Sequence, residues 1–147
     1  MMVSTKGRYA LRVMVELAVR ESEGFVSLRG IAENQQISEK YLEIIMKSLV
    51  KAGLVVGLRG KGGGYRMAQP PEQCTVAEIL RATEGSLAPV ACLEEGAECS
   101  RRAQCVTLPI WQGLEELVDQ YFQGITLAQL AHQVKEAGGE IACCGLA

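Results

Sequence analysis

Three cysteines in this sequence are close enough to one another to act together. Cys92, Cys99 and Cys105 follow a C-x6-C-x5-C spacing. Zinc sites commonly show a tighter C-x2-4-C pair and four ligands, whereas an iron-sulfur cluster tolerates wider spacing on a loop wrapped around it. Three cysteines leave one coordination position open. On spacing alone, a metal cluster and a set of unremarkable free thiols both remain open interpretations.

The other potential ligands and nucleophiles are scattered. His132, the only histidine, falls in the last predicted helix and is expected at the surface. Cys74 stands just before a helix, where a partly buried small side chain is the simplest interpretation. Cys143 and Cys144 belong to a Gly-rich tail that we expect to be mobile. Because the cysteines form no C-x-x-C pair and have no cofactor loop nearby, a thiol redox or electron-transfer enzyme is poorly supported.

The three cysteines fall in a long segment between two predicted helices. Residues 85–108 form a loop, and a loop this long inside a compact domain is usually functional or disordered. Thr75 is expected to cap the helix before it, Pro109 suits the first turn of the helix after it, and Thr126 is expected to cap a last short helix. The helix from Pro109 has two apolar rows, wide enough to pack on its own domain and on a second copy of itself. The rows are Ile110, Leu114, Leu117 and Tyr121, and Trp111, Val118, Phe122 and Ile125.

The first half of the chain predicts a different set of helices. Residues 5–20 form a helix that Ser4 or Thr5 is expected to cap. It is apolar on most sides, with one polar row that includes Glu16, so other elements should surround it. Ser27 and Ser38 each suit the cap of a short helix, and the polar residues 34–36 separate the two. Two short helices joined by a tight turn are a helix-turn-helix. On the second of them, the residues expected to face the core are Leu42, Ile45, Met46, Leu49 and Val50.

A basic glycine-rich run follows the second of these helices. Residues 54–58 and 65–68 are two short strand-like segments, and Arg59, Gly60 and Lys61 begin the run between them. A hairpin directly after a helix-turn-helix is the wing of a winged helix. An ordinary flexible turn is the alternative. A nucleotide-binding loop is disfavoured, because the run matches neither G-x-G-x-x-G nor G-x-x-x-x-G-K with Ser or Thr after the lysine.

A winged helix brings suitable side chains to DNA. Its second helix enters the major groove, and its wing reaches a neighbouring groove or the backbone. Glu43 can accept from cytosine N4 but would repel phosphate, which suits discrimination between bases rather than affinity. Thr5 and Lys6 could add phosphate contacts at the start of the first helix. The predicted DNA contacts are Thr5, Lys6, Ser38, Lys40, Tyr41, Glu43, Lys47, Arg59, Gly60 and Lys61.

The distribution of charge agrees with this role. The 147 residues include 15 Lys and Arg and 17 Asp and Glu, a formal net charge of -2. Residues 1–67 hold 11 basic and 6 acidic residues and have a net charge of +5, whereas residues 68–147 have a net charge of -7. A basic half is a footprint for a polyanion, and chance clustering on solvated faces is the alternative.

Composition narrows the class of protein. Hydrophobic residues make up 48%, which disfavours disorder, and no uncharged apolar run approaches the roughly 20 residues that cross a bilayer. Charges interrupt the apolar core that a signal peptide requires, so a cytoplasmic location with reduced cysteines is expected. We expect one mainly α domain with a small β-hairpin. Its parts are a DNA-binding region (1–72), a linking helix and cysteine loop (73–108), a dimerisation helix with a short last helix (109–134) and a tail (135–147).

Several motifs in fixed order are similar to those of one known family. The opening STKGRYAL, the run ISEKYLE, the wing LRGKGGGY, the three-cysteine segment and the later PIW and ITLAQL resemble the Rrf family of bacterial winged-helix regulators. The resemblance implies a homodimeric DNA-binding repressor or activator in which the long helix crosses its partner. In the IscR-like members, to which the chain is most similar in type, the loop cysteines hold a 2Fe–2S or 4Fe–4S cluster. This implies such a cluster, 2Fe–2S being favoured, on Cys92, Cys99 and Cys105, sensing iron-sulfur, redox or nitric oxide status.

The sequence departs from the IscR-like pattern at the fourth ligand. Those members supply a histidine shortly after the third cysteine, but residues 106–108 hold none, and Arg8 stands where some relatives place an acidic ligand. A cluster with one exchangeable ligand would be labile, which suits a sensor. The alternative is a cluster-free regulator of cysteine or sulfur metabolism that responds to a partner protein. Other donors for the open position are Glu94, Glu95, Glu98, Cys143, Cys144 and a small thiol.

Overall fold

The structure, a computed structural model, describes residues 3–141. Helices dominate this part of the chain. The predictions for Cys143 and Cys144 lie outside these residues. A two-stranded antiparallel sheet accompanies the helices, which confirms the mainly α fold with a small hairpin. The elements are α1 (Thr5–Val19), α2 (Leu28–Gln35), α3 (Glu39–Lys51), β1 (Val55–Leu58), β2 (Gly64–Met67), α4 (Val76–Glu84), α5 (Leu108–Gln123) and α6 (Leu127–Glu136).

The first helix lies at the centre of the fold. Ser4 caps α1, its hydroxyl accepting from the Gly7 N–H at 3.1 Å, as the sequence predicts. Helices α2, α3, α4 and α6 pack around α1, because apolar side chains cover most of its circumference. Glu16 lies in the polar row of the helix and is nevertheless buried, with an exposed fraction of 2%.

A buried polar network joins α1 to the helix-turn-helix. The Glu16 carboxylate accepts from Gln35 Nε2 at 2.6 Å, Asn34 Nδ2 at 2.9 Å and Arg20 Nη1 at 3.0 Å. Arg12 donates to the side-chain and backbone oxygens of Gln35, both at 3.0 Å. These bonds satisfy a charge that would otherwise be costly to bury.

The helix-turn-helix follows the predicted caps, with a shorter turn than expected. The Ser27 hydroxyl accepts from Gly30 N–H at 3.1 Å and the Ser38 hydroxyl from Tyr41 N–H at 3.2 Å. The predicted polar break at 34–36 was wrong in its first two residues, since α2 continues to Gln35. The network with Glu16 holds this end of α2, and the turn begins at Gln36, whose φ is 55°.

The wing is an antiparallel hairpin fastened to the segment before α2. Val55 pairs with Met67 and Leu58 with Gly64, which confirms the predicted hairpin. Val26 exchanges two backbone hydrogen bonds with Tyr65, each 2.8 Å long. A Cβ on Gly64 would collide with the Val26 carbonyl oxygen, so this glycine is required for the close approach.

The starts of α4 and α6 are tied together beside Cys74. Thr75 caps α4 and Thr126 caps α6, each in a capping box. The Leu127 N–H donates to the Cys74 carbonyl at 2.9 Å. Cys74 is fully buried, so the expectation of partial burial was too low. Burial, followed by the negative charge of Glu78, raises the pKa of Cys74 to about 11, which keeps the thiol protonated.

The long helix α5 lies on α4 with one side uncovered. Arg81 of α4 forms an ion pair with Asp119 of α5. Of the two predicted apolar rows, the one containing Trp111 is partly covered. The other row is open: Ile110, Leu114, Leu117 and Tyr121 have exposed fractions of 40 to 67%. Within residues 3–141, no helix is long and apolar enough to cross a membrane.

Candidate DNA-reading face and cysteine loop

An open cleft of about 700 Å³ separates α3 from the wing. Its α3 wall carries Glu43, Lys47 and Lys51, and its wing wall carries Arg59. Three cations against one anion give this face a positive excess, which favours a polyanion. The structure therefore brings the recognition helix and the wing tip, predicted separately, to one concave surface.

The predicted contacts on α3 differ in how freely they reach that surface. Lys40, Glu43 and Lys47 are exposed. The Ser38 hydroxyl caps α3 and keeps its O–H free to donate. Tyr41 is half-buried and packs edge-on against Tyr9, with ring centroids 6.0 Å apart. We therefore expect Tyr41 to orient α3 more than to read bases.

Two apolar side chains on α3 were not assigned to this face by the sequence. Val50, expected in the core, is 42% exposed and lines the cleft, so that prediction was wrong. Ile44 is 48% exposed beside Glu43. An exposed aliphatic group on a recognition helix can contact a thymine methyl. Helical periodicity assigns Ile45 to the core row and gives no signal for the position of Ile44 beside it.

The wing tip holds its basic residues outward. Arg59, Gly60 and Lys61 are all exposed. The Gly63 N–H donates to the Gly60 carbonyl at 3.0 Å, which closes the turn, and Gly60 has a φ of 95° that favours glycine. The glycine run is thus explained by the geometry of a hairpin.

The start of α1 contacts α3 through a side-chain bond that the sequence did not reveal. Lys6 Nζ donates to Ser48 Oγ on α3 at 2.7 Å, which places the ammonium against the recognition helix. The Thr5 hydroxyl accepts from Arg8 Nη2 at 3.2 Å. The Lys6 side chain therefore lies against α3.

Two short 3₁₀ turns shape the cysteine loop. They span Ala91–Leu93 and Arg102–Gln104. Cys92 and Cys105 are partly exposed, Cys99 is exposed, and all three are free thiols. Three thiols on one accessible loop supply three of the four donors that commonly hold an iron-sulfur cluster. Their side chains are not gathered in advance, since no three His, Cys, Asp or Glu side chains among residues 3–141 are grouped to hold a metal.

Cys105 has a hydrogen-bonding neighbour in the loop, Thr107. Its Sγ lies 3.4 Å from Thr107 Oγ1. Hydrogen bonding from the Thr107 side chain, and then from the Thr107 backbone, lowers the pKa of Cys105 below its ordinary value. Since the thiolate is the metal ligand and the nucleophile, this residue is prepared for either role.

No fourth protein ligand accompanies the cysteines within the described residues. His132 is exposed and pairs with Glu136 at 3.3 Å on α6, which confirms its expected surface position. The loop carboxylates Glu94, Glu95 and Glu98 are also exposed.

The loop begins at a residue that holds α1. Glu84, the last residue of α4, accepts from the Ser4 N–H at 3.1 Å and the Ser4 hydroxyl at 2.5 Å. A carboxylate at this end of α1 is favoured by the helix dipole. Because Lys6 contacts Ser48, one turn of α1 connects the start of the cysteine loop to the recognition helix.

Comparison with known proteins places this architecture in context. The model of the Rrf2 family, described as iron-dependent transcriptional regulators, matches residues 3–133. The chain is 38% identical over 131 residues to the regulator CymR of Bacillus subtilis, covering 89% of this chain and 90% of that protein. It is 37% identical over 131 residues to IscR of Aliivibrio salmonicida, covering 88% of this chain and 77% of that protein.

Solved structures agree at the level of the fold. The structure of IscR from T. potens has a TM-score of 0.74 and 35% identity, covering 99% of this chain and 94% of that one. The structure of B. subtilis CymR, whose title calls it the global cysteine regulator, has a TM-score of 0.73 and 37% identity, covering 90% and 98%. The winged-helix fold is therefore shared with an IscR and with a CymR.

Proposed function

This chain belongs to the Rrf2 family of transcriptional regulators and is not an enzyme; we propose that it is a homodimer whose binding to operator DNA is controlled by an iron-sulfur cluster on Cys92, Cys99 and Cys105. The observation that carries the DNA-binding part is the exposed basic cleft between α3 and the wing. We retain the division into a DNA-binding region at 1–72, a linking helix and cysteine loop at 73–108, and a dimerisation unit at 109–134. A regulator of this kind works in the cytoplasm, where its operator is.

We assign affinity and base choice to different side chains on the DNA-reading face. The exposed cations Lys40, Lys47, Arg59 and Lys61 suit phosphates, with Lys6 held at the edge of α3. Glu43 and Ile44 suit base edges, since a carboxylate accepts from cytosine N4 and an aliphatic group contacts the thymine methyl. Further contacts are proposed for Thr5, Ser38, Tyr41 and Gly60.

The cysteine loop is the proposed sensor. A bound cluster, 2Fe–2S or 4Fe–4S, supplies a redox-active and chemically labile centre when present. The lowered pKa of Cys105, caused by hydrogen bonding from Thr107, favours the thiolate that binds metal. The contacts of Glu84 with Ser4 and of Lys6 with Ser48 give a change in the loop a physical route to α3.

The uncovered row of α5 supports the homodimer. Four apolar side chains at steps of three and four residues are open to solvent on one side of the helix, and a second α5 offers the same surface. Such a self-complementary contact is the usual basis of a twofold dimer.

A cluster-free regulator is the second candidate. Identity to CymR and to IscR is equally high, at 38% and 37%, and the loop side chains are not gathered for a metal within residues 3–141. In that case the chain would regulate cysteine or sulfur metabolism through a partner protein. Replacing all three loop cysteines by Ser would then leave DNA binding and its regulation unchanged.

The experiment for the DNA-reading face compares two variants on selected and random DNA. Lys61→Ala should weaken binding to all sequences and reduce the slope of log affinity against log salt by about one unit. Glu43→Ala should keep affinity for random DNA and relax the choice of base at one position. Lys135→Ala, an exposed lysine at the far end of α6, is the matched control. Equal losses on both kinds of DNA for both variants would contradict the assignment.

A further inference from the structure

Arg102 is hydrogen-bonded to each of the three loop cysteines. Its Nη1 donates to the Cys92 carbonyl at 2.8 Å. Its backbone N–H donates to the Cys99 carbonyl at 3.1 Å, and its carbonyl accepts from the Cys105 N–H at 3.3 Å. The first of these bonds crosses ten residues of sequence, while the other two form the local turn.

The side-chain bond is what closes the loop. Without it, the turn at Arg102–Gln104 would connect Cys99 to Cys105 and leave Cys92 free to move away. Bringing the ends of a flexible segment together has an entropic cost. A bond already formed in the cluster-free chain restricts the segment beforehand, so less entropy is lost when a cluster binds. The adjacent Arg101 is also exposed, and its side chain makes no such bond within the described loop.

Arg102 also places a permanent positive charge beside the ligands. Each cysteine that binds iron gives up its proton, so three thiolates concentrate negative charge in a loop that already contains Glu94, Glu95 and Glu98. A guanidinium remains charged at any working pH and forms directional hydrogen bonds. It therefore serves both to hold the backbone and to offset the charge.

We propose that Arg102 is the positioning residue of the cysteine loop, holding the backbone of Cys92 beside the turn that carries Cys99 and Cys105 before a cluster forms, and supplying the compensating charge once it has formed. The second half rests on the proposed cluster, whereas the first half concerns the cluster-free chain. The two halves are therefore tested by separate measurements.

The first measurement is the order of the loop backbone in the cluster-free protein. Heteronuclear ¹H–¹⁵N NOE values for residues 92–105 should fall in Arg102→Gln and remain as in the wild type in Arg101→Gln. The reason is that, among the hydrogen bonds of residues 3–141, the one from the Arg102 side chain joins Cys92 to the turn that carries Cys99 and Cys105. Unchanged values in Arg102→Gln would overturn the positioning role, whether or not the protein binds iron.

The second measurement uses the full chain after anaerobic reconstitution. Loss of iron to a chelator should be about 3 to 10 times faster in Arg102→Gln, the factor expected for one lost hydrogen bond, and unchanged in Arg101→Gln. The reduction potential of the cluster should fall in Arg102→Gln. The reduced cluster is the more negative form, so removing a nearby cation destabilises it more than it destabilises the oxidised cluster. Arg102→Lys should restore the potential without restoring the loop order.

The outcomes separate this inference from the proposed function. A wild-type protein that takes up neither iron nor sulfide overturns the cluster, and the NOE comparison then decides alone whether Arg102 organises the loop. A wild type that binds a cluster whose potential and stability are the same in Arg102→Gln and Arg101→Gln overturns the role of Arg102 and leaves the proposed function standing.

Discussion

The Glu16 carboxylate is a single buried anion that fixes the geometry of the helix-turn-helix. Glu16→Ala should lower the free energy of unfolding by about 2 to 4 kcal/mol, because it leaves Gln35 Nε2 buried without its acceptor. Glu23→Ala is the matched control, since Glu23 is the exposed partner of the same Arg20, and it should change stability by less than about 0.5 kcal/mol. Urea unfolding measures both. Equal effects would show that the network contributes no more than a surface ion pair.

Hydrogen bonding from Thr107 lowers the pKa of Cys105. Thr107→Val removes the hydroxyl that favours the thiolate, so the pKa of Cys105 should rise and the pH of half-maximal alkylation should move upward. Peptide mass spectrometry of the cluster-free protein follows each cysteine. Cys74, buried and with a pKa raised to about 11, should stay unmodified and report that the protein is folded. An identical pH profile in the variant would contradict the role of Thr107.

Individual contacts were the hardest features to predict from sequence. Caps at Ser4, Ser27 and Ser38 follow local rules and were confirmed. The burial of Glu16 depends on α2, and the contact of Lys6 depends on Ser48 of α3, both distant in sequence. Such partners are set by tertiary packing and leave no periodic signal.

At the scale of elements, α4 and α1 connect the loop to the recognition helix. Glu84→Ala removes the carboxylate that binds Ser4, so the ratio of DNA affinities with and without the cluster should move toward one. The affinity of the cluster-free protein should stay within about twofold, because a coupling residue changes the response rather than the contact. DNA titrations in both states provide the ratio. Glu72→Ala, an exposed glutamate before α4, should leave it unchanged, and an unchanged ratio in Glu84→Ala as well would exclude this route.

Element order was well predicted because each element carries its own signal. The two helices of the helix-turn-helix, the wing and the Thr75 and Thr126 caps each depend on residues adjacent in sequence. The cysteine loop was recognised as a loop, but its two turns and the bond from Arg102 to Cys92 have no periodicity from which to derive them.

At the scale of the whole molecule, the open row on α5 predicts a dimer. Leu117 is 66% exposed on this row, and Leu117→Glu places a charge at its middle. The variant should have the 15.9 kDa mass of one chain, whereas the wild type should have twice that mass in light scattering. Gln112→Glu, on another side of the same helix, should remain dimeric. A monomeric wild type, or a dimeric Leu117→Glu, would contradict an interface on this row.

The charge of the molecule is divided in the same way as its proposed functions. The part that forms the DNA-reading face, residues 1–67, has a net charge of +5, and the part with the loop and α5 has -7. A total near zero limits non-specific attraction to DNA, so a modest change at the loop can decide whether the operator is bound.

The most direct test of the account is the affinity for operator DNA with and without the cluster. The operator is first selected from a random library, and the affinity is measured anaerobically by fluorescence anisotropy for the reconstituted protein, the protein after chelation, and the variant with Ser at 92, 99 and 105. We expect the first two to differ at least about tenfold, or about 1.4 kcal/mol, and the Ser variant to match the chelated protein whether or not iron is supplied. Equal affinities in all three would contradict control by the loop cysteines and favour the cluster-free regulator.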